Sequence, residues 1–380
     1  MRTRGAVFVG PHQPPRVEDL ELDPPGHGEV AVRMVASGVC HSDLHVIDGE
    51  WERSPGIVMG HEGAAIVEAL GPGVPERPAG APPSPGAGLR EGDLVVLAWT
   101  APCGGCAACR RGEAWVCTAP RGTGYRLSPE LLRLRRLDGT PIGVYAGIGT
   151  WGERQVVAAE AAVAIDPGTP PEIAALIGCA VTTGVGAAVD TARVRPGESV
   201  VVIGAGGVGL SVVMGAALAG ASPIVAIDTE DAKLAVAEDA GATAGIVAGS
   251  DETALRAAVR KLLPGGADHV VEAIGLTVTI ELAVELARPG GTVTLVGMTP
   301  QGQRAGIDVY RFVEEGKRLL GSNYGSAVPA LAFPRLADLY LAGRLPLDLL
   351  VTERIGLDGV AGALDAMRRR DGARRVIRFA

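Results

Sequence analysis

The amino-acid sequence predicts an α/β protein in which a mostly β domain precedes a doubly wound parallel sheet. Residues 1–180 hold short alternating or β-branched runs between glycines and prolines, as at 30–35, 63–70 and 94–98, and such runs are typical of strands. From residue 181 apolar runs alternate with alanine-rich helical patterns. That alternation predicts a parallel sheet covered by helices on both faces.

In the region after residue 181 the sequence predicts individual strands and helices. Its apolar runs predict strands at 199–203, 224–227, 269–273 and 292–296, and its periodic segments predict helices at 208–219, 231–239, 252–263, 278–287 and 329–342. In the first region, residues 72–92 are crowded with proline, glycine and alanine. We expect a long surface loop there, with no packed structure of its own.

Length and composition set the broad class. The chain has 380 residues, 47% of them hydrophobic, and a formal net charge of −8. These values indicate a globular protein with ample core, divided into two or three domains. No lysine or arginine run marks a nucleic-acid surface, so no nucleic-acid partner is expected.

One stretch imitates a membrane span. Residues 199–227 carry no charge and are long enough to cross a bilayer. Six glycines interrupt the stretch, so a strand, a glycine turn, a helix and a second strand are the better interpretation. The apolar run near the N-terminus is too short for a signal peptide. We therefore expect a cytoplasmic protein without a membrane partner, in which paired thiols more often bind metal than form disulfides.

A dinucleotide fingerprint joins the first strand of this region to its first helix. Gly204, Gly206 and Gly209 follow the G-x-G-x-x-G pattern, with Gly207 and Val208 inside the turn. The first glycine allows a tight turn, the second lets the backbone approach a pyrophosphate, and the third allows close packing of helix on strand. The helix N-terminus offers N–H groups to the phosphates.

Asp228 selects the cofactor. It ends the next predicted strand, 19 residues after Gly209, where an acid hydrogen-bonds the ribose hydroxyls and repels a 2′-phosphate. NAD is therefore favoured over NADP, although Asp228 could simply cap the following helix. Lys233 lies five residues further on and could reach the same ribose, or it could be a solvated helix lysine.

Four of the six cysteines form one cluster. Cys103, Cys106, Cys109 and Cys117 lie in a glycine-rich loop, 103–117. Four thiolates at this spacing can close a tetrahedral site around zinc and leave no position open for chemistry. An iron–sulfur cluster is the competing interpretation, but nothing else in the chain calls for an electron carrier.

The other two cysteines complete a different site. Cys40 lies in the segment GVCHSDLH, His61 in GHEGAAIVEALG, and Cys179 in LIGCAVTTGVGAA. Two thiolates and one imidazole give three ligands, which leaves a fourth position for water or substrate, as in a catalytic zinc site. Taken alone, Cys179 in an apolar helix would be a core residue.

These motifs, in this order, resemble those of the medium-chain zinc alcohol dehydrogenases over nearly the whole chain. The segment between Cys117 and Trp151 is similar to that of the animal and plant enzymes and of the bacterial thiol-adduct formaldehyde dehydrogenases. The resemblance implies a GroES-like catalytic domain at 1–180, a Rossmann domain at 181–322, and a C-terminal part, 323–380, that completes the catalytic domain. The insertion near 75–88 departs from the family pattern.

The resemblance also implies a mechanism. It makes Glu62 a transient ligand behind the zinc and Asp43 the hydrogen-bond partner of His61, a contact that fixes the tautomer of a ligand. It makes Ser42 the group that takes the alcohol proton and His45 the group that releases it to solvent. The alternative for His45 is a plain surface histidine.

Further cofactor and substrate contacts follow from the same resemblance. His41 would meet the pyrophosphate and Thr183 the nicotinamide, while Trp99 would line the substrate pocket. Arg375 aligns best with the family's pyrophosphate arginine, and Arg374 is an equally placed neighbour.

The expected activity is the NAD-dependent interconversion of a primary alcohol, aromatic or extended, and its aldehyde, with two zinc ions per chain. A rival is the oxidation of a thiol–formaldehyde adduct or reduction of a nitrosothiol, which needs a cationic pocket. The candidates for that pocket are Arg121, Arg126, Arg133, Arg135 and Arg136, which could also form a solvated face. A non-catalytic zinc- and nucleotide-binding protein is a third possibility. We expect a homodimer or homotetramer formed through the segment 292–308.

Overall fold

The computed structural model describes residues 1–84, 86–118 and 132–380. It confirms the predicted fold class: a mostly β part and a doubly wound parallel sheet. The chain divides into two compact units. Unit 1 comprises Met1–Cys179, Val328–Gly343 and Val351–Ala380, and unit 2 comprises Ala180–Ala327 and Arg344–Leu350.

The strands among the described residues are, in chain order, β1 (Arg2–Phe8), β2 (Arg16–Leu22), β3 (Glu29–Gly38), β4 (Ile57–Val58), β5 (Glu62–Leu70), β6 (Leu94–Leu97), β7 (Leu134–Arg136), β8 (Pro141–Val144), β9 (Arg154–Ala158), β10 (Ala162–Ala164), β11 (Val200–Ile203), β12 (Ile224–Asp228), β13 (Ala244–Val247), β14 (Ala267–Glu272), β15 (Ala287–Leu295), β16 (Arg318–Gly321), β17 (Val351–Ile355) and β18 (Arg374–Arg378). The α-helices there are α1 (His41–Ile47), α2 (Ala107–Arg110), α3 (Pro171–Leu176), α4 (Thr182–Gly186), α5 (Gly207–Leu218), α6 (Asp231–Asp239), α7 (Glu252–Leu262), α8 (Thr277–Leu286), α9 (Val309–Glu314), α10 (Pro329–Leu341) and α11 (Val360–Arg368).

Unit 1 is built from two sheets. Strands β1, β2, β7, β8 and β4 close a small barrel, and β10, β6, β5, β3, β18 and β17 form a second sheet in which β9 also pairs with β3. Alternating apolar positions of these strands enclose the core, which includes Phe8, Met34 and Trp151. Because the C-terminal strands β17 and β18 extend this sheet, the end of the chain belongs to unit 1.

The proline-rich segment 72–92 is better packed than its composition suggests. The prediction of no packed structure is wrong at its two ends, where the amide of Leu89 donates to the carbonyl of Pro75 at 3.0 Å and the side chain of Leu89 enters the core. The guanidinium of Arg77 is buried against the carboxylate of Asp93. An apolar side chain and a paired charge thus anchor both ends of the segment.

Unit 2 contains a parallel sheet in the order β13, β12, β11, β14, β15, β16. The strand order reverses direction between β11 and β14, and such a switch point is where doubly wound sheets bind ligands. Sequence periodicity locates α6 and α7 well but misses β13 and β16, which are short and half-exposed edge strands. The segment Arg344–Leu350 belongs to unit 2, although the whole of 323–380 is expected in the first domain. Leu345, Leu347 and Leu350 are buried, and the segment packs near α5.

Within the part of the chain that the structure describes, one helix is long and apolar enough to cross a membrane. It runs over Pro171–Thr191, with π-helical turns at Ile177–Val181 and Ala187–Thr191, and 89% of an apolar 18-residue window within it is buried inside the protein. The helix therefore has the burial of a core element.

Asp268, on β14, links the residue that precedes β11 to strand β15 at the amino end of the parallel sheet. Its carboxylate accepts hydrogen bonds from the amide and hydroxyl of Ser199 (2.8 and 2.6 Å) and from Nε of Arg288 (2.7 Å). Burial opposes ionisation, yet these donors lower the pKa of Asp268 to about 2. A depressed carboxyl pKa contributes stability that is present above the unfolded pKa near 4 and is lost as the pH falls through the folded value.

We therefore expect Asp268→Asn to lower the free energy of unfolding by about 2 kcal/mol at pH 7. The deficit should shrink as the pH falls from 4 toward 2, because Asp268 of the unfolded wild-type chain takes up a proton in this range while the folded carboxyl is still ionised. Urea unfolding of both proteins across this range measures it. Asp239→Asn, which removes the same charge at an exposed site on α6, is the control, with an expected change under about 0.5 kcal/mol. Equal effects of the two substitutions would contradict the role of Asp268.

Candidate metal centres and nucleotide site

The first candidate metal centre begins at the N-terminus of α1. Cys40 is the N-cap residue of this helix, and its amide donates to Oδ2 of Asp43 at 3.0 Å. The other carboxylate oxygen, Oδ1, lies 3.0 Å from Nδ1 of His61. One buried aspartate therefore fixes the start of the helix and the imidazole together, and it leaves Nε2 of His61 to face a metal.

Strand register brings His61 to Cys40. Strands β3 and β5 are antiparallel with Gly38 opposite Glu62, so the residues that follow β3 meet those that precede β5. The glycine beside His61 is required there: Gly60 has a φ of +87°, and a Cβ on it would lie 2.3 Å from the ring of Trp151. Sequence spacing alone does not reveal this close approach.

Cys179 completes the group from the long helix. It lies in the π-helical turn Ile177–Val181, and π-turns within helices often occur at functional sites. Ligand atoms of Cys40, His61, Glu62 and Cys179 all lie within 4.8 Å of one another, and all four residues are buried. Two thiols and an imidazole nitrogen at such separations fit a tetrahedral zinc ion with one open position.

Two ionisable groups at this centre hold protons that a bound metal ion would displace. Although burial opposes it, the Asp43 carboxylate raises the pKa of His61 well above its usual range. Burial raises the pKa of Glu62 to about 8, and neither of its oxygens receives a hydrogen bond from the described residues. Buried acceptors without donors are costly, and a metal ion would satisfy them.

Arg374 enters this centre, and Arg375 does not. The guanidinium of Arg374 is buried, with Nη2 3.4 Å from Sγ of Cys40 and Nε 3.4 Å from Oε2 of Glu62. Arg375 is held by Glu353 at 2.8 Å and Asp371 at 2.7 Å. Successive side chains of β18 point to opposite faces of the sheet, so only one of the two neighbours can enter the centre. The cofactor contact expected of Arg375 stays a prediction, and Arg374 is the better placed of the two for it.

The second candidate centre is the cysteine quartet. Sγ atoms of Cys106 and Cys117 lie 3.9 Å apart, close to the ~3.8 Å edge of a tetrahedron with Zn–S bonds of about 2.3 Å. Backbone amides donate to the sulfurs of Cys103, Cys106 and Cys117 at 3.3–3.5 Å. The amide of Cys109 lowers the pKa of the Cys106 thiol to about 5, so a thiolate ligand is available at neutral pH.

The glycine turn of unit 2 has the shape that a dinucleotide requires. A Cβ on Gly206 would meet nothing within 4 Å, whereas one on Gly209 would lie 1.7 Å from the carbonyl oxygen of Gly204. The turn therefore offers open space at one glycine and contact of helix on strand at another. Asp228 accepts the amide of Ala205 at 2.8 Å, so its carboxylate lies at the turn.

The remaining cofactor candidates of unit 2 have less distinctive surroundings. Thr183 is half-buried on α4, and its carbonyl lies near Gly325. Val208 and Lys233 are half-exposed on α5 and α6. Their predicted contacts stay predictions.

Helix α1 carries the three expected relay and phosphate residues. His41 is exposed, Ser42 is half-buried and His45 is buried. The rings of His41 and His45 meet edge to face with centroids 4.8 Å apart. His45 is therefore an enclosed side chain rather than the plain surface histidine that the sequence left open.

Two aromatic residues of unit 1 are candidates for lining a substrate pocket. Trp99 is half-buried and packs against the core of unit 1. Tyr145, which the sequence analysis missed, lies edge to face with His61 at a centroid distance of 5.6 Å, and its hydroxyl donates to the carbonyl of Ser42 at 3.4 Å. Its position depends on a 3₁₀ turn after β8, for which the sequence has no distinctive signal.

The arginines considered for a cationic pocket are paired where they are described. Arg133 contacts Glu29 at 2.8 Å, Arg135 contacts Asp23 at 3.4 Å and Arg136 contacts Glu18 at 2.7 Å. Arg121 and Arg126 lie outside the described residues. The three described arginines neutralise neighbouring carboxylates instead of presenting unpaired positive charge.

Comparison with known proteins identifies the family. A model of the alcohol dehydrogenase GroES-like domain matches residues 26–167, and one of the zinc-binding dehydrogenase matches residues 207–341. An S-(hydroxymethyl)glutathione dehydrogenase from Escherichia coli is 34% identical over 382 residues, covering 100% of both chains. The chain belongs to the medium-chain zinc alcohol dehydrogenase family. The resemblance on which the sequence analysis relied is thereby confirmed.

Solved structures agree with this family membership. An alcohol dehydrogenase zinc-binding domain protein from Burkholderia ambifaria has a TM-score of 0.91 and 30% identity, covering 100% of this chain and 99% of that one. The benzyl alcohol dehydrogenase of Acinetobacter calcoaceticus has a TM-score of 0.89 and 29% identity, covering 100% of both. The chain is thus a zinc alcohol dehydrogenase-family oxidoreductase by descent and by fold.

Proposed function

We propose that this member of the zinc alcohol dehydrogenase family transfers hydride between a primary alcohol and NAD. The observation that carries the proposal is the buried group Cys40, His61 and Cys179, beside a helix that also holds Ser42 and His45. A degenerate, purely binding relative would have no need of three ligands and an open fourth position. The cysteine quartet, as a separate site without an open position, makes two zinc ions per chain the expected content.

The chain's own residues divide the work. Zinc at the three-ligand site would supply the Lewis acidity that makes an alcohol proton easy to remove. Asp43 holds the imidazole of His61 in the tautomer that presents Nε2. Arg374 and Glu62 lie behind the thiol of Cys40 and balance the charge of the buried group.

Ser42 and His45 are the proposed proton path. They lie three positions apart on α1, and residues so spaced lie on one side of a helix. Ser42 would take the alcohol proton, and His45 would release it towards solvent. The buried aromatic rings of Tyr145 and Trp51 favour an apolar pocket near this path and hence an aromatic or extended alcohol.

NAD is the proposed cofactor. The carboxylate of Asp228 beside the glycine turn would accept ribose hydroxyls and repel the extra phosphate of NADP. The cytoplasmic location and the homodimer or homotetramer expected from the sequence stay predictions.

A substrate comparison tests the proposal. We expect kcat/KM for benzyl alcohol and hexanol with NAD to exceed, by about tenfold or more, the value for formaldehyde with added glutathione. NAD should be preferred to NADP by a similar factor. Turnover of none of these alcohols by protein with two bound zinc ions would refute the proposed function.

The thiol-adduct reaction is the second candidate. The 34% identity to S-(hydroxymethyl)glutathione dehydrogenase favours it. The pairing of Arg133, Arg135 and Arg136 with carboxylates counts against it, because a glutathione-like carrier brings carboxylates that need unpaired cations. Faster turnover of formaldehyde with glutathione than of either alcohol would make this the better assignment.

A further inference from the structure

The turn that follows α1 encloses His45 with two side chains that the family motif does not include. The amides of Glu50 and Trp51 both donate to the carbonyl of His45, at 2.9 and 3.1 Å. These two bonds fold the chain back over the C-terminal end of the helix. As a result, the side chains of Glu50 and Trp51 contact the imidazole of His45, which lies five and six residues before them in the sequence.

Each side chain contacts the ring in a different way. The carboxylate oxygen Oε2 of Glu50 is hydrogen-bonded to Nδ1 of His45. The indole of Trp51 is stacked on the imidazole, with centroids 4.5 Å apart and planes 20° apart. With the edge-on ring of His41 nearby, His45 is fixed in position and orientation.

The exposed fractions of the two side chains indicate where a proton can leave towards solvent. The side chain of His45 is 11% exposed, whereas that of Glu50 is 41% exposed. The carboxylate therefore links an enclosed imidazole to solvent. A carboxylate on one ring nitrogen fixes the histidine tautomer and makes the other nitrogen the better proton acceptor.

We propose that Glu50 is a positioning residue for the proton relay and its outlet to solvent, an inference that rests on the proposed function. For each alcohol oxidised, the hydride goes to NAD and one proton leaves through Ser42. An Nε2–H bond forms on His45 as that proton arrives, the Nδ1–H bond breaks, and the proton moves to Oε2 of Glu50. Water then takes the proton from the exposed carboxyl of Glu50 and leaves neutral His45 protonated on Nε2. Before the next turnover that Nε2 proton leaves to water and Glu50 returns a solvent proton to Nδ1, so the starting tautomer is restored and one proton is released for each alcohol oxidised.

The test removes the charge of Glu50 and keeps its size. In Glu50→Gln we expect the single-turnover rate of NADH formation from alcohol at neutral pH to fall about tenfold, the lower end of what loss of a supporting carboxylate costs. Single-turnover measurement avoids limitation by product release. The matched control is Glu52→Gln, an exposed glutamate two residues on, which should match the wild type.

A second readout separates proton transfer from packing. Raising the phosphate concentration at constant ionic strength should restore much of the rate in Glu50→Gln, because a diffusible base replaces the missing outlet, and should leave Glu52→Gln unchanged. NADH affinity and zinc content should equal those of the wild type. An unchanged rate in Glu50→Gln, or a loss that phosphate does not relieve, would overturn the role of Glu50 while the wild-type activity upholds the proposed function. Inactive wild-type protein would overturn both.

Discussion

Cys179→Ala should remove one of two zinc ions per chain and lower alcohol oxidation by more than about 100-fold. The reason is geometric: Cys179 supplies one of the ligand atoms that lie within 4.8 Å of one another in the three-ligand centre. Loss even of a residue that only supports a ligand costs about 10- to 100-fold in affinity or activity, so loss of a ligand should cost more. Elemental analysis and benzyl alcohol turnover measure the two effects.

Three properties should survive this substitution. The cysteine quartet is a separate group of ligands and should keep its zinc. The glycine turn belongs to unit 2 and should still bind NADH. The thermal midpoint should change by only a few degrees, because a thiol replaced by a methyl-sized side chain leaves a small cavity.

The comparison variant is Cys117→Ala, in the quartet. It should also leave one zinc ion per chain, but the retained ion should be the one at the three-ligand centre. Because the quartet has no open position for chemistry, activity should fall only through the loss of structure in the loop 103–117, and by less than in Cys179→Ala. Full zinc content with unchanged turnover in Cys179→Ala would refute the assignment of that cysteine as a ligand.

The sequence predicts those parts of this protein that depend on local pattern. Helix α6 begins and ends where its periodicity indicates, and the glycine fingerprint marks the turn before α5. The sequence does not predict the edge strands β13 and β16, because short, half-exposed strands show little alternation of polar and apolar residues. Local pattern also fails for the ends of the segment 72–92, which are held by the buried side chain of Leu89 and the buried ion pair of Arg77 with Asp93.

In the candidate site, too, local sequence pattern is not enough to predict which residues come together. Cys40 and Cys179 are 139 positions apart, and family resemblance, not spacing, associates them before the register of β3 and β5 is known. Arg374 and Arg375 cannot be distinguished by sequence, because the choice depends on which face of β18 points to Glu62. Glu50 likewise reaches His45 only through a turn that no motif describes.

The glycine turn of unit 2 provides the second large effect, in Gly209→Ala. A Cβ at this position would lie 1.7 Å from the carbonyl oxygen of Gly204, which is backbone and has no alternative rotamer. Helix α5 must therefore move away from β11, and overpacking of this kind typically costs about 1–3 kcal/mol or more. We expect the thermal midpoint to fall by at least about 3 °C and NADH affinity to fall by about 100-fold or more, since the displaced helix N-terminus no longer cradles the pyrophosphate.

Gly206→Ala is the matched variant that separates binding from stability. Its Cβ would meet no protein atom within 4 Å, so the thermal midpoint should equal that of the wild type. The same methyl group would occupy the space that lets a pyrophosphate approach the backbone, so NADH affinity should still fall by about tenfold. Thermal unfolding and fluorescence titration with NADH on both variants give the comparison. If Gly206→Ala bound NADH as tightly as the wild type, the phosphates would have to lie elsewhere. That result would refute the dinucleotide role of this turn, even if Gly209→Ala proved unstable.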